Sequence, residues 1–191
     1  MRIKMSINNN KISHFKKMTI ACSVFLSLLF FSLTSSAAIP VEGQTYFTKH
    51  NFMFEKKRHL TTNYWRGELV PINSQVEVVS IDKKTMVLNY EGKKITVLNV
   101  VKHTRKNIEE IADRMLSTTP VNTSGPYAKS MEFGEIRLGM TKDQVIKTRG
   151  YPPTHKTIST ESDVWIYWSS RFVQRSLVFE NNRLTQGRGL R

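Results

Sequence analysis

Residues 139–153, GMTKDQVIKTRGYPP, constrain this chain more than any other stretch, because both ends of one element are written locally. With Thr141 as N-cap, its hydroxyl can accept from the Gln144 N–H, and the Gln144 side chain can reach back to the Thr141 N–H, a capping box. Met140 and Val145 stand where a hydrophobic staple needs them. Gly150 offers positive φ beyond the last turn, and Pro152-Pro153 forbids continuation. The pattern predicts a helix over Lys142 to Arg149. The same glycines do not make a phosphate-binding loop. A Walker loop needs Gly, four residues, then Gly-Lys-Ser/Thr, and a dinucleotide fingerprint needs three glycines in six residues. Gly134, Gly139 and Gly150 are too scattered for either.

A strand pair is expected to follow. Val164-Trp165-Ile166-Tyr167-Trp168 puts Val164, Ile166 and Trp168 on one face and Trp165 and Tyr167 on the other, so both faces are apolar. One covers the helix; the other is covered too or is offered to a partner. Leu177 and Phe179 share a face of the next strand, and Asn181-Asn182 suits a two-residue hairpin because asparagine tolerates positive φ.

Upstream, residues 62–100 have the rhythm of about four short antiparallel strands. Tyr64 to Pro71 is the first. Val76 to Ile81 is β-branched and ends at Asp82-Lys83-Lys84. Met86, Leu88 and Tyr90 alternate with Thr85, Val87 and Asn89, Glu91-Gly92 offers a tight hairpin, and Ile95 and Val97 resume the alternation. Residues 104–116 predict a helix with Thr104 as N-cap and Ile108, Ile111, Met115 and Leu116 on one face. Residues 39–60 have no clean period and predict an extended lead-in packed by Phe47, Phe52 and Phe54. Residues 117–130 are rich in Ser, Thr, Pro and Gly, which predicts a linker.

Residues 1–38 are set apart. Five basic residues and no acid precede an apolar run of about 15 residues, Thr19 to Leu33, followed by Ser36-Ala37-Ala38. That is the build of a secretory leader cut near Ala37 or Ala38, shorter than the roughly 20 residues that span a bilayer; an uncleaved anchor is the other option. Thr19-Ile20-Ala21-Cys22 has the outline of a lipidation signal, but Cys22 sits near the start of the apolar run instead of following it. Cleavage would remove the only cysteine and leave a charge of 24 − 15 = +9. An exported basic protein favours anionic neighbours: lipid, lipopolysaccharide, peptidoglycan or an acidic protein face, with nucleic acid excluded by compartment.

Two resemblances bear on function. Residues 135–185, with Gly139-Met140-Thr141, Val145, Gly150, Pro152-Pro153, Trp165 with Tyr167, and Leu177-Val178-Phe179 before a polar turn and Leu184, resemble the outer-membrane-protein assembly factor domain of the BamE or SmpA/OmlA type. Residues 62–100 weakly resemble a bacterial SH3-like barrel. The first resemblance implies a helix on a three-stranded antiparallel sheet and a non-catalytic periplasmic role beside an envelope or outer-membrane complex.

The expectation is therefore an α+β chain. A β-rich, SH3-like module ending in a helix (39–116) is followed by a linker (117–130) and an assembly-factor-like module (131–191). Trp165, Tyr167, Arg171, Phe172, Tyr64 and Trp65 are the candidate partner contacts, and Lys56, Lys57 and Arg58 the candidate anionic-surface contacts. No catalytic residue, metal or cofactor is assigned: the mature histidines, His50, His59, His103 and His155, show no ligand spacing and are expected to be lone surface residues. An SH3-like binder of peptidoglycan or peptide, and an exported enzyme inhibitor or hydrolase, are the alternatives.

Overall fold

The computed structural model describes residues 40–188 and Leu190. The expected leader and its cut site lie outside the described residues, which all belong to one compact unit. The fold is α+β and mostly sheet. No helix among the described residues is long and apolar enough to cross a membrane.

Residues 40–60 are more than a lead-in. They supply β1 (Thr45–Thr48), β2 (Phe52–Phe54) and β3 (Arg58–Leu60). Next come β4 (Glu68–Val70), β5 (Gln75–Ile81), β6 (Thr85–Tyr90) and β7 (Lys93–Leu98). Two short helices follow, α1 (Val101–Thr104) and α2 (Ile108–Met115), and then β8 (Leu116–Ser117). Six strands form one mixed sheet in the order β3-β7-β6-β5-β1-β8, in which β3 runs parallel to β7. The strand expected at Tyr64 to Pro71 does not join it. Only Glu68–Val70 is extended there, and it pairs with β2 in a separate ribbon that brings Phe52 opposite Val70. That pairing joins segments 18 positions apart, Phe52 with Val70, which local alternation does not announce.

The alternation itself places the core. Val78, Leu88 and Ile95 lie across three neighbouring strands, as do Met86 and Val97 across two, all buried on one face. Ile108, Ile111, Ala112 and Met115 of α2 close over this cluster together with Phe52, Phe54 and Val70. Full burial of each such side chain contributes about 1.5–3 kcal/mol. The Glu91-Gly92 turn has φ of 49° and 77°, as a primed hairpin turn requires.

The helix start at Thr104 is corrected. Arg105 takes a left-handed conformation after α1, and Asn107 caps α2 in its place. Asn107 accepts from the Glu110 N–H at 2.8 Å, and the Glu110 carboxylate accepts from the Asn107 N–H at 3.0 Å. A glutamate three residues on completes a box for Asn107 that Thr104, with Asn107 in that place, lacks. Thr104 is buried and donates to Asn99 Oδ1.

The segment 117–130 is tied down at Ser117, Val121 and Tyr127. The Val121 N–H donates to Asn73 Oδ1 and Asn73 Nδ2 donates to the Val121 carbonyl, at 2.8 and 2.9 Å. A helix, α3 (Ala128–Glu132), begins inside it. Then α4 (Lys142–Arg149) carries the complete Thr141/Gln144 capping box, with Met140 and Val145 both buried. Finally β9 (Val164–Ser170), β10 (Val173–Glu180) and β11 (Arg183–Gly187) make a three-stranded antiparallel sheet. Its core face, Trp165, Tyr167, Leu177, Phe179 and Leu184, packs on Met131, Ile136, Met140 and Val145. Each outer strand is bridged at one point: Gly139 and Met140 bond to Leu184 of β11, and the Trp65 N–H donates to the Trp168 carbonyl of β9.

The two clusters are joined through polar groups at the end of α4. Its last four carbonyls need partners from outside the helix ladder. Ile146 accepts from the Gly150 N–H and Lys147 from the Asn51 N–H. Thr148 accepts from Asn51 Nδ2 at 3.0 Å and Arg149 from Asn63 Nδ2 at 2.6 Å. Asn51 Oδ1 also accepts from the Ile72 N–H. Gly150 has φ 75° and ψ −176°, an extended positive-φ state instead of the left-handed helical one. A Cβ there would stand 2.9 Å from His50 Nδ1 and 3.1 Å from Asn63 Nδ2, so glycine is needed for both conformation and space.

Replacing Asn51 with leucine strands the Ile72 N–H and the Thr148 carbonyl. Because each orphaned buried group costs about 1–3 kcal/mol, Asn51→Leu should lower unfolding free energy in urea by roughly 3 kcal/mol, and Thr141→Ala by about 1 kcal/mol. Two losses of equal size would contradict this account of the seam.

Candidate binding face

The basic turn expected to meet anionic surfaces is built as a tight hairpin. Lys56 and Lys57 have φ of 50° and 62°, and Glu55 and Arg58 exchange both backbone bonds across the turn. Lys56, Lys57 and Arg58 are all exposed. Lys56 and Arg58 line a groove of about 490 Å³ together with Tyr64, Arg66 and Met53. Glu55 is the acid in it, ion-paired to Arg66 at 2.8 Å.

Met53 also lines a second groove, of about 430 Å³. There Trp65 and Phe133 supply aromatic wall, and Arg149 and Arg175 supply charge. The chain thus places Tyr64 and Trp65 in neighbouring grooves, one reached by the basic turn and one by two arginines. Both aromatics are half-buried.

Two candidate contacts are corrected. Trp165 and Tyr167 are 0% exposed. Trp165 packs against Phe179 with ring centroids 4.7 Å apart and donates its Nε1–H to the Ser162 carbonyl. The Tyr167 hydroxyl donates to the Gly150 carbonyl at 2.7 Å, and burial pushes its pKa up. The face carrying them is the one that meets α4, so neither offers surface to a partner. Arg171 and Phe172 are placed differently again. They form the turn between β9 and β10, with Phe172 87% exposed and Arg171 lying over its ring at 5.7 Å. Neither lines the two grooves.

The histidines are not lone surface groups. His50 and His59 are buried, and each Nδ1–H donates to a carbonyl, of Asn51 and Met53 respectively. They line a cavity of about 40 Å³ with Arg114 and Tyr151, the space of roughly one water molecule. His103 and His155 stack at 4.2 Å, and His155 stacks again on Trp168 at 5.9 Å. Burial lowers the pKa of His103 and of His155 as well. No cluster of three or more metal-ligating side chains occurs among the described residues.

Arg149 and Arg175 were not singled out from sequence. A basic residue ending a helix is the ordinary complement to its dipole. The available sign was spacing: Val145, Thr148 and Arg149 fall on one helical face, and that face is the buried one.

No protein-family model, curated protein or solved structure matches this chain.

Burial holds His50 and His59 each at a pKa of about 4, against an ordinary value of 6.5. Between those values the unfolded chain takes up protons that the folded chain refuses, so stability is full above pH 6.5 and falls as pH drops through the window. Thermal melts should show Tm level near neutrality and declining below pH 6.5, with a shallower decline in His59→Gln. A Tm that stays level down to about pH 5 would overturn the assignment of neutral buried imidazoles.

Proposed function

We propose that this is an exported, non-catalytic accessory protein that supports an envelope or outer-membrane assembly by contacting a protein partner and an anionic surface. The observation that carries the reading is Phe172. A side chain of that size left 87% exposed does not serve the core. It sits at a hairpin tip where residues 169–174 include no buried side chain, and aromatic and arginine side chains are the groups enriched at protein interfaces. The basic turn at Lys56 to Arg58 supplies the second contact, since lysine and arginine near an anionic surface contribute about 1 kcal/mol each. The resemblance of residues 135–185 to the outer-membrane assembly factor domain supports the same role. The SH3-like reading of the first module, as a binder of peptidoglycan or peptide, keeps one supporting observation: Tyr64 lines a groove of about 490 Å³.

A photocrosslinking residue in place of Phe172 should capture one envelope protein reproducibly in intact cells, and the same residue in place of buried Trp165 should capture none. Binding to anionic vesicles should weaken steeply as the Debye length shrinks from about 30 Å at 0.01 M salt to about 3 Å at 1 M. Replacing Lys56, Lys57 and Arg58 together with glutamine should weaken it at least about tenfold at low salt. Salt-independent vesicle binding, with no partner captured at position 172, would contradict the proposal; sedimentation with insoluble peptidoglycan that Tyr64→Ala weakens would favour the SH3-like reading.

A further inference from the structure

Arg149 is a buried cation with no anion beside it. It is 9% exposed. Among the described residues no carboxylate stands within ion-pair distance of it, and its Nε has no hydrogen-bond partner. Its guanidinium lies over the rings of Trp65 and Tyr167, at 4.8 and 5.5 Å. Such contacts are worth about 2 kcal/mol when desolvated, against several kcal/mol for taking one ion out of water. The ring contacts therefore do not offset the burial. The group stays charged all the same: burial lowers its pKa only to about 10.

The position is also crowded with like charge. Arg175, half-buried on β10, lines the same groove, and its charge disfavours that of Arg149. The acid on the groove wall, Glu135, is ion-paired to Arg137 and to neither of these arginines. Two cations that share an opening, one of them without a partner at its Nε, are the arrangement an incoming anion would complete.

The opening is shaped for more than a bare ion. Its volume of about 430 Å³ falls within the range of small-molecule sites. Polar groups make the larger part of its surface, and Met53, Trp65, Phe133, Ile136 and Leu190 give it an apolar side on which Phe133 is 64% exposed. Gly134 lets Trp65 approach closely, since a Cβ there would stand 2.7 Å from Trp65 Cζ2. Rings over the guanidinium leave its planar edge for bonding, and that edge matches the two oxygens of a carboxylate.

We propose that this groove binds a carboxylate carried on a small apolar body, with Arg149 and Arg175 holding the carboxylate and Trp65 and Phe133 holding the body. This deepens the reading of the protein as a non-catalytic binder, on which it rests, by giving one of its contacts a defined chemistry. The carboxylate could come from the end of a peptide chain or from a free organic acid.

Calorimetric titration of the purified protein separates these cases. The probes are N-acetylleucine and acetyl-Ala-Ala-Leu, each as free acid and as carboxamide. The acids should saturate one site per chain, and the carboxamides should bind at least about tenfold more weakly, the equivalent of 1.4 kcal/mol. Arg175→Gln should weaken the acids toward the carboxamides and leave the carboxamides unchanged. Arg149→Met should do the same while holding or raising Tm, because it removes a buried charge without a partner. Tighter binding of the tripeptide identifies a peptide terminus as the source; equal binding identifies a free acid; either upholds the site. Acids that fail to saturate at millimolar concentration, carboxamides that bind equally well, or an Arg175→Gln protein that binds the acids normally would overturn it. Phe172 crosslinking and vesicle binding need neither arginine, so they stand or fall separately.

Discussion

The structure depends on how the C-terminus of α4 is finished. A helix end facing a protein interior leaves carbonyls that only a neighbouring donor can satisfy. Here the donors come from far along the chain. Asn51 reaches the Thr148 carbonyl and Asn63 the carbonyls of Arg149 and Tyr151. Both asparagines are buried and belong to the part of the chain that builds the first hydrophobic cluster. Because hydrogen bonds have strict geometry, they fix distance and angle where an apolar seam would fix area alone. The second cluster is thereby held in one orientation against the first, which sets Trp65 beside Arg149 and opens the groove between Trp65 and Phe133.

How much of this was legible in the sequence follows the distance over which each feature is encoded. The capping box of Thr141 and Gln144, the turns at Glu91-Gly92 and Asn181-Asn182, and the alternation of Met86, Leu88, Ile95 and Val97 each lie within a few residues, and each appears as written. The pairing of β2 with β4, the parallel seat of β3 beside β7, and the asparagine clamp do not. They are decided when distant segments meet, and no local period marks them. The candidate face shows the same split. The tight turns at Lys56-Lys57 and Arg171-Phe172 carry no glycine, asparagine or proline to mark them, although the charge of Lys56 to Arg58 agrees with their exposure. Burial of Trp165 and Tyr167 depended on which of two apolar faces received α4, and the strand alone leaves that undecided.

Buried polar chemistry is concentrated where the two clusters meet. His50, Asn51, Asn63, Thr148 and Arg149 all lie there, and all are nearly or fully removed from water. Most of their groups are partnered by backbone carbonyls, which suits a seam that has to be specific. Asn63 Oδ1 and Arg149 Nε are the fully buried side-chain atoms without a partner among these five residues. Asn63 lines the small histidine-lined cavity, and Arg149 lines the arginine groove.

The bridge on each outer strand of the three-stranded sheet has a bearing on how anything can be recognised there. Gly139 and Met140 bond to Leu184 of β11, and Trp65 bonds to Trp168 of β9, so each outer strand has part of its free backbone row taken. A chain adding itself along the full length of either strand would have to break that bridge, which favours partners that read side chains over partners that read only extended backbone.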